Sequence, residues 1–149
     1  MSERGEVVAG QELSVGAAKE PLPPPVEEML LEVVQARDDV AFASVPMIAF
    51  PGQVPERVLV VFLRGGSDPE AALGALSAGV AAGFEAVAAV HPGVAIEPMA
   101  VMPVPLDRPL DGLAQAVVMT DTHLLVADVG AWQRARRGPQ PWWRRMLGW

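Results

Sequence analysis

His91 and His123 are the only imidazoles in the chain, and cysteine is absent. Around His123 the order Asp121-Thr122-His123, with Asp128 five residues further on, sketches an acid–base cluster in which a carboxylate orients an imidazole and holds its proton. No third histidine or cysteine stands at metal-ligand spacing, so no metal site is expected. Ser44, Ser67 and Ser77 all lack the G-x-S-x-G surroundings that lift a serine nucleophile out of its strand. The segment Arg64-Gly65-Gly66-Ser67-Asp68-Pro69 joins a strand pattern to a helix pattern, where backbone amides can cradle an anion. It carries neither a Gly-Lys-Ser/Thr ending nor GxGxxG, and the Asp68 carboxylate would repel phosphate from those amides, so it is read as a turn plus a helix cap. Without cysteine there is no thiolate nucleophile, persulfide carrier, iron–sulfur cluster or disulfide frame. The expectation is no catalytic residue, no metal and no cofactor.

Contact chemistry is concentrated at the C-terminus. All four tryptophans, Trp132, Trp142, Trp143 and Trp149, fall in the last eighteen residues, beside Arg134, Arg136, Arg137, Arg144 and Arg145. Tryptophan offers a large apolar body and one N–H donor; arginine stacks on it and pairs with carboxylates, so together they are anchors for contact. Three uses are open: docking on the chain's own body, contact with a partner protein, and attachment to anionic lipid. The reading taken is that the part near Trp132 docks, while Trp142, Trp143, Arg144, Arg145 and Trp149 serve a protein partner, a second copy of the chain among the candidates.

Charge divides the chain in the same place. The net charge is −7, yet all eighteen acidic residues lie at or before Asp128 and five of the eleven basic ones lie after Gly130. The body thus carries six basic against eighteen acidic residues, a formal −12, and the segment after it +5. Such a body repels nucleic-acid phosphate and anionic lipid, which argues against a nucleic-acid partner. The first twenty residues, with Glu3, Glu6, Glu12 and Glu20, lack the basic start and apolar core of a secretory signal, and a cytoplasmic protein is expected. Apolar runs such as Val58 to Leu63 fall short of the roughly 20 residues that cross a bilayer, so no transmembrane segment is expected.

The elements that must position these residues follow from period and punctuation. At 149 residues, with 51% hydrophobic and 19% charged, one core is expected. Residues 1–24 read as a flexible polar and proline-rich segment, with Val7 and Val8 as a short edge strand; residues 25–130 as the domain; residues 131–149 as the Trp/Arg-rich tail. Val26, Met29, Leu30, Val33, Val34 and Arg37 share one helical face opposite Glu27, Glu28 and Glu32. Residues 40–50 are strand-like, and Pro46 assigns them to an edge or bulged strand. Arg57 to Arg64 encloses six apolar residues, a central strand covered on both faces. A helix follows, started by Ser67 or Asp68 and stopped near Gly83, with Leu73, Leu76 and Val80 inward and Gly74, Ala78 and Gly79 close to the sheet. Short strands near 85–90 and 94–102, a helix over 109–119 and a strand over 123–128 complete an α+β domain, a mostly antiparallel sheet with helices packed against it.

The residues also resemble the C-terminal domain of the enhanced serine sensitivity protein SseB family. The likeness rests on Val8-Ala9-Gly10-Gln11, the proline-led helix Pro25 to Arg37, Asp39-Val40-Ala41-Phe42, Val58-Leu59-Val60-Val61-Phe62 and the closing Pro141-Trp142-Trp143-Arg144-Arg145, where the family carries phenylalanine and tyrosine. The resemblance implies a small bacterial cytoplasmic α+β module and transfers no catalytic residue. The function expected is a non-enzymatic interaction or regulatory module; the alternative is a small-molecule-binding or enzymatic domain using an apolar groove between sheet and helices.

Overall fold

The computed structural model describes residues 14–18, 20–94 and 99–137. In chain order the elements are β1 (Ser14–Gly16), α1 (Pro24–Gln35), β2 (Val40–Ser44), β3 (Met47–Ala49), β4 (Glu56–Leu63), α2 (Pro69–Val90), β5 (Ala100–Pro105), α3 (Gly112–Val118), β6 (His123–Val126) and α4 (Val129–Arg137). They form one six-stranded sheet, antiparallel except for the β4–β5 pair, with α1 and α2 on one face and α3 and α4 on the other. This is the α+β domain that the sequence patterns imply.

β4 organises the sheet because its residues are apolar on both faces. Leu59, Val61 and Leu63 pack beneath α1 and α2; Val58, Val60 and Phe62 pack beneath α3 and α4. Six of its eight residues are buried. Along one side of β4 run β2 and β3 in a single register, from Phe42 opposite Phe62 to Ile48 opposite Glu56. Pro46 keeps that register through its carbonyl, which accepts from the Val58 amide at 3.1 Å. The run is therefore not an edge strand: β2 is interior, with β6 on its far side, and β1 takes the same place beside β3. Its nitrogen faces β4 as its carbonyl does, so the missing N–H removes one ladder bond to Val58 while the carbonyl keeps the other. The bulge is present, since the register shifts between Val40 and Phe42 and places both Ala41 and Phe42 toward α3 and α4. Phe42 stacks on Phe62 across the pair, ring centroids 4.3 Å apart.

The sheet edge at β5 is closed to further strands. The Leu106 amide donates to the Leu63 carbonyl, so even-numbered residues of this stretch turn their backbone toward β4 and odd-numbered ones turn it outward. Pro103 and Pro105 occupy two of the three outward positions and present no donor there.

Several boundaries differ from those the sequence suggests. α2 does not stop at Gly83 but continues to Val90, so residues 85–90 are helix, not strand. Gly83 marks a close approach: a Cβ there would collide with Cγ and Sδ of Met29 on α1. At Gly79 a Cβ would lie 3.1 Å from Val33 Cγ1, so this glycine serves the helix–helix contact and not the sheet. The buried residues of α2 are Ala72, Leu76, Val80 and Val87, while Leu73 is exposed. The strand expected near 94–102 is β5, starting at Ala100; residues 95–98 lie outside the described ones. α3 starts at Gly112 rather than Pro109, because Asp111 caps it with a bond from the Ala114 amide to Oδ1 at 2.8 Å. β1 lies inside the N-terminal segment read as flexible, held by pairing to β3, and α4 runs across the boundary drawn at residue 130. Val7 and Val8 lie outside the described residues.

Candidate functional site

The residues that sketch an acid–base cluster are each bound elsewhere. Asp121, in the turn between α3 and β6 with φ of 58°, forms an ion pair with Arg136 of α4. Thr122 shares a 2.7 Å hydroxyl–hydroxyl bond with Thr120, whose hydroxyl also lies 2.7 Å from the Val117 carbonyl. His123 meets the edge of Trp132, centroids 5.4 Å apart. Asp128 caps α4: its Oδ1 accepts from the Ala131 amide at 3.0 Å and its Oδ2 from Arg64 Nη1 at 3.2 Å. Its own amide donates to the carbonyl of bulged Ala41 at 2.8 Å, which ties the start of α4 to the bulge. The geometry makes these four residues a structural seam between β2, β6 and α4.

The other candidates are placed as plainly. His91 is exposed at the C-terminal end of α2, its amide bonded to the Val87 carbonyl at 2.7 Å. Ser44 is buried in β2, Ser77 is exposed on α2, and Ser67 sits in the turn after β4. In that turn Gly66 has φ of +89° and Asp68 caps α2, its Oδ1 accepting from the amides of Glu70 at 3.0 Å and Ala71 at 3.4 Å. Of the two caps weighed from the sequence, Asp68 with Pro69 in the first turn is the one formed. Among the described residues no group of three or more His, Asp or Glu side chains could hold a metal ion. Just past α1, Arg37 makes a two-pronged bond to Asp39, Nε to Oδ1 at 3.0 Å and Nη2 to Oδ2 at 2.9 Å. The guanidinium holds the Asp39 carboxyl below its ordinary range, and the carboxylate raises the arginine in turn.

α4 is the root of the tryptophan–arginine segment. Asp128 and the Ala41 carbonyl fix its start, and Ala131 and Ala135 bury its inner side against the sheet. Trp132 is half-buried, with the Arg136 guanidinium 4.8 Å from its ring centroid, a cation–π contact. Trp142, Trp143, Arg144, Arg145 and Trp149 lie outside the described residues.

Two further surfaces emerge from the fold. A groove of about 920 Å³ opens on the α1–α2 face at the Met47 end of the sheet. Ala17, Ala18 and the Pro21-Leu22-Pro23 run wall one side; Met47, Arg57, Phe84 and Met99 line the rest, with Glu20 and Glu56 also on its lining. The Arg57 guanidinium donates to the Glu20 carbonyl. Its signal in sequence is the proline run; its other walls come from β3, β4, α2 and the approach to β5. The second surface is the outer side of α2. This 22-residue helix carries charge only at Glu70 and Glu85, and by length and composition it would reach across a membrane, contrary to the count of shorter apolar runs. In the fold it is the crossover between β4 and β5, packed on α1, with 17% of its apolar window buried.

Comparison with family models, with curated proteins and with solved structures returned no match.

Proposed function

We propose that the protein is a non-enzymatic protein-interaction or regulatory module, akin to the SseB C-terminal domain, whose contact element is the segment containing Trp142, Trp143, Arg144, Arg145 and Trp149. The observation that carries this reading is the hand-over at residue 137. A helix docked by Ala131, Ala135 and Trp132 leads directly into twelve residues that hold three of the four tryptophans and two arginines. An aromatic and basic segment that follows a docked helix, in a chain whose body carries the opposite charge, has the composition found at contact hot spots. Asp121, Thr122, His123, Asp128 and Asp68 are engaged in ion pairs, caps and packing, which further supports a role in binding over one in catalysis.

Affinity capture with the full chain, with a chain ending at Arg137 and with the double variant Trp142→Ala/Trp143→Ala tests the reading. The full chain should retain a saturable protein partner that both altered forms lose; ending at Arg137 keeps α4 intact. The 920 Å³ groove favours a second reading, a small-molecule-binding domain, since its size lies in the range of about 300–1,000 Å³ typical of ligand sites. Saturable thermal stabilisation by a metabolite, with no partner retained by any form, would decide for that reading.

A further inference from the structure

We infer that the groove walled by Ala17–Ala18 and Pro21–Pro23 is the docking site of the chain's own C-terminal segment, with Trp142 and Trp143 seated in it while no partner is bound. The inference rests on the reading of residues 142–149 as the contact element and supplies where that element resides in the free protein.

Position puts the segment within reach of the groove. The end of α4 is pinned through Arg136 to Asp121, beside the start of β6. The Val45 amide bonds the Thr122 carbonyl at 2.9 Å, and Met47 pairs with Gly16. Thr122 and Gly16 therefore flank the same strand line two residues apart, about 7 Å at strand rise. Between them the sheet edge is broken, and on the far side of that break stand Ala17 and Ala18, the near wall of the groove. From Arg137, five residues reach Trp142 over as much as about 17 Å and twelve reach Trp149 over about 40 Å. The chain thus leaves α4 beside Thr122 on the opposite face, and twelve residues are long enough to round the sheet edge by Gly16 to the groove.

Chemistry makes it a fitting occupant. Leu22, Met47, Phe84 and Met99 offer an apolar bed with adaptable thioethers that pack well against aromatic rings, and the prolines of the wall present flat apolar faces to indole. Glu20 and Glu56 outnumber Arg57 on the lining, the Arg57 guanidinium being engaged with the Glu20 carbonyl, and the segment brings Arg144 and Arg145 next to its paired tryptophans. Pro139 and Pro141 restrict the connecting backbone, which lowers the ordering cost of docking. Binding of a protein partner through the same residues would then require their release, so the groove acts as an internal competitor.

Acrylamide quenching tests this in the full chain carrying Trp132→Phe and Trp149→Phe, which leaves Trp142 and Trp143 as reporters. Their quenching constant should be several-fold lower than in a free peptide of residues 138–149. It should rise toward the peptide value in 0.5 M salt (about a 4 Å Debye length), in Glu20→Lys/Glu56→Lys, and in Ala17→Arg, which places bulk and positive charge at the mouth. The same variants should increase partner capture and, because the docked segment holds only the folded body, lower the melting temperature no further than ending the chain at Arg137 does. Quenching equal to the peptide's would overturn the inference and leave the partner reading standing. Protection that ignores the groove variants would also overturn it, assigning the segment to another surface; protection that fades on dilution would assign it to a second copy. Protection lost in the groove variants with no partner captured by any form would instead uphold the dock and remove the partner reading.

Discussion

Helices α1 and α2 lie side by side on one face of the sheet and treat their outer sides in opposite ways. α1 turns Glu27, Glu28 and Glu32 outward and buries Val26, Met29, Leu30 and Val34. α2 turns outward a surface of Ala71, Gly74, Ala75, Ala78, Ala81 and Ala82 and buries Ala72, Leu76, Val80 and Val87. Both make a helix, but only α1 states in its sequence which side faces the core. Where the outer side is charged, the apolar stripe is unique; where it is alanine, the stripe is set by what lies opposite. The contact between the two is made by large side chains on α1 entering glycine notches on α2, Met29 at Gly83 and Val33 at Gly79.

The largest effect tests the sheet beneath both helices. Val60→Asp or Phe62→Asp places an unpaired charge on a fully buried strand and should abolish cooperative folding, read as loss of a melting transition. A soluble variant with a sharp transition would remove β4 from the centre. Next, Leu30→Ala should cost about 2–4 kcal/mol in denaturant unfolding, because Leu30 is fully buried. Leu73→Ala on the exposed side of α2 should cost under about 1 kcal/mol. Equal losses at the two leucines would break the distinction between stripes.

The glycine notches sharpen it further. Gly83→Ala sets overpacking against Met29, about 1–3 kcal/mol, against a helix-propensity gain of about 1 kcal/mol, so a modest net loss is expected. In a Met29→Ala background the same change should become stabilising, a coupling that a double-mutant cycle measures. Gly74→Ala meets nothing within 4 Å and should stabilise by about 0.5–1 kcal/mol outright. One substitution at two glycines of one helix should thus change sign.

The smallest effect lies where α1 hands over to β2. Asp39 is held below its ordinary pKa by Arg37, so its folded form binds the proton less readily than the unfolded chain does. Its contribution is complete above the ordinary carboxyl value of about 3.9 and is lost as pH falls below that value through the lowered one. Asp39→Asn should flatten that part of the acid limb in urea unfolding measured between pH 5 and 2.5 (a span of about 2.5 units). An unchanged limb would show that the pair adds nothing to stability.

Much of this architecture is legible one element at a time. The six apolar residues inside Arg57–Arg64 announce a strand buried on both faces, the heptad-like stripe from Val26 to Val34 announces α1, and Asp68-Pro69 announces the start of α2, because each signal is local and uses its residues once. The end of α2 is not legible, since Gly83 reads equally as a stop and as a notch, and only Met29 on another helix distinguishes them. Pro46 reads as the mark of an edge; in the interior its carbonyl still bonds the Val58 amide of β4, a partner that the chain reaches only by folding back. Asp121, His123 and Asp128 look like chemistry when read in a row, and the fold disperses them to Arg136, Trp132 and Arg64. Local pattern determined most of the helices and strands, though not residues 85–90, and where tryptophan and arginine are concentrated, because period, capping and composition act over a few residues. Tertiary structure alone decided which glycine is a notch, which acidic residue is a cap and that proline, methionine and phenylalanine from five separate stretches wall one groove, because those roles depend on neighbours the chain reaches only by folding.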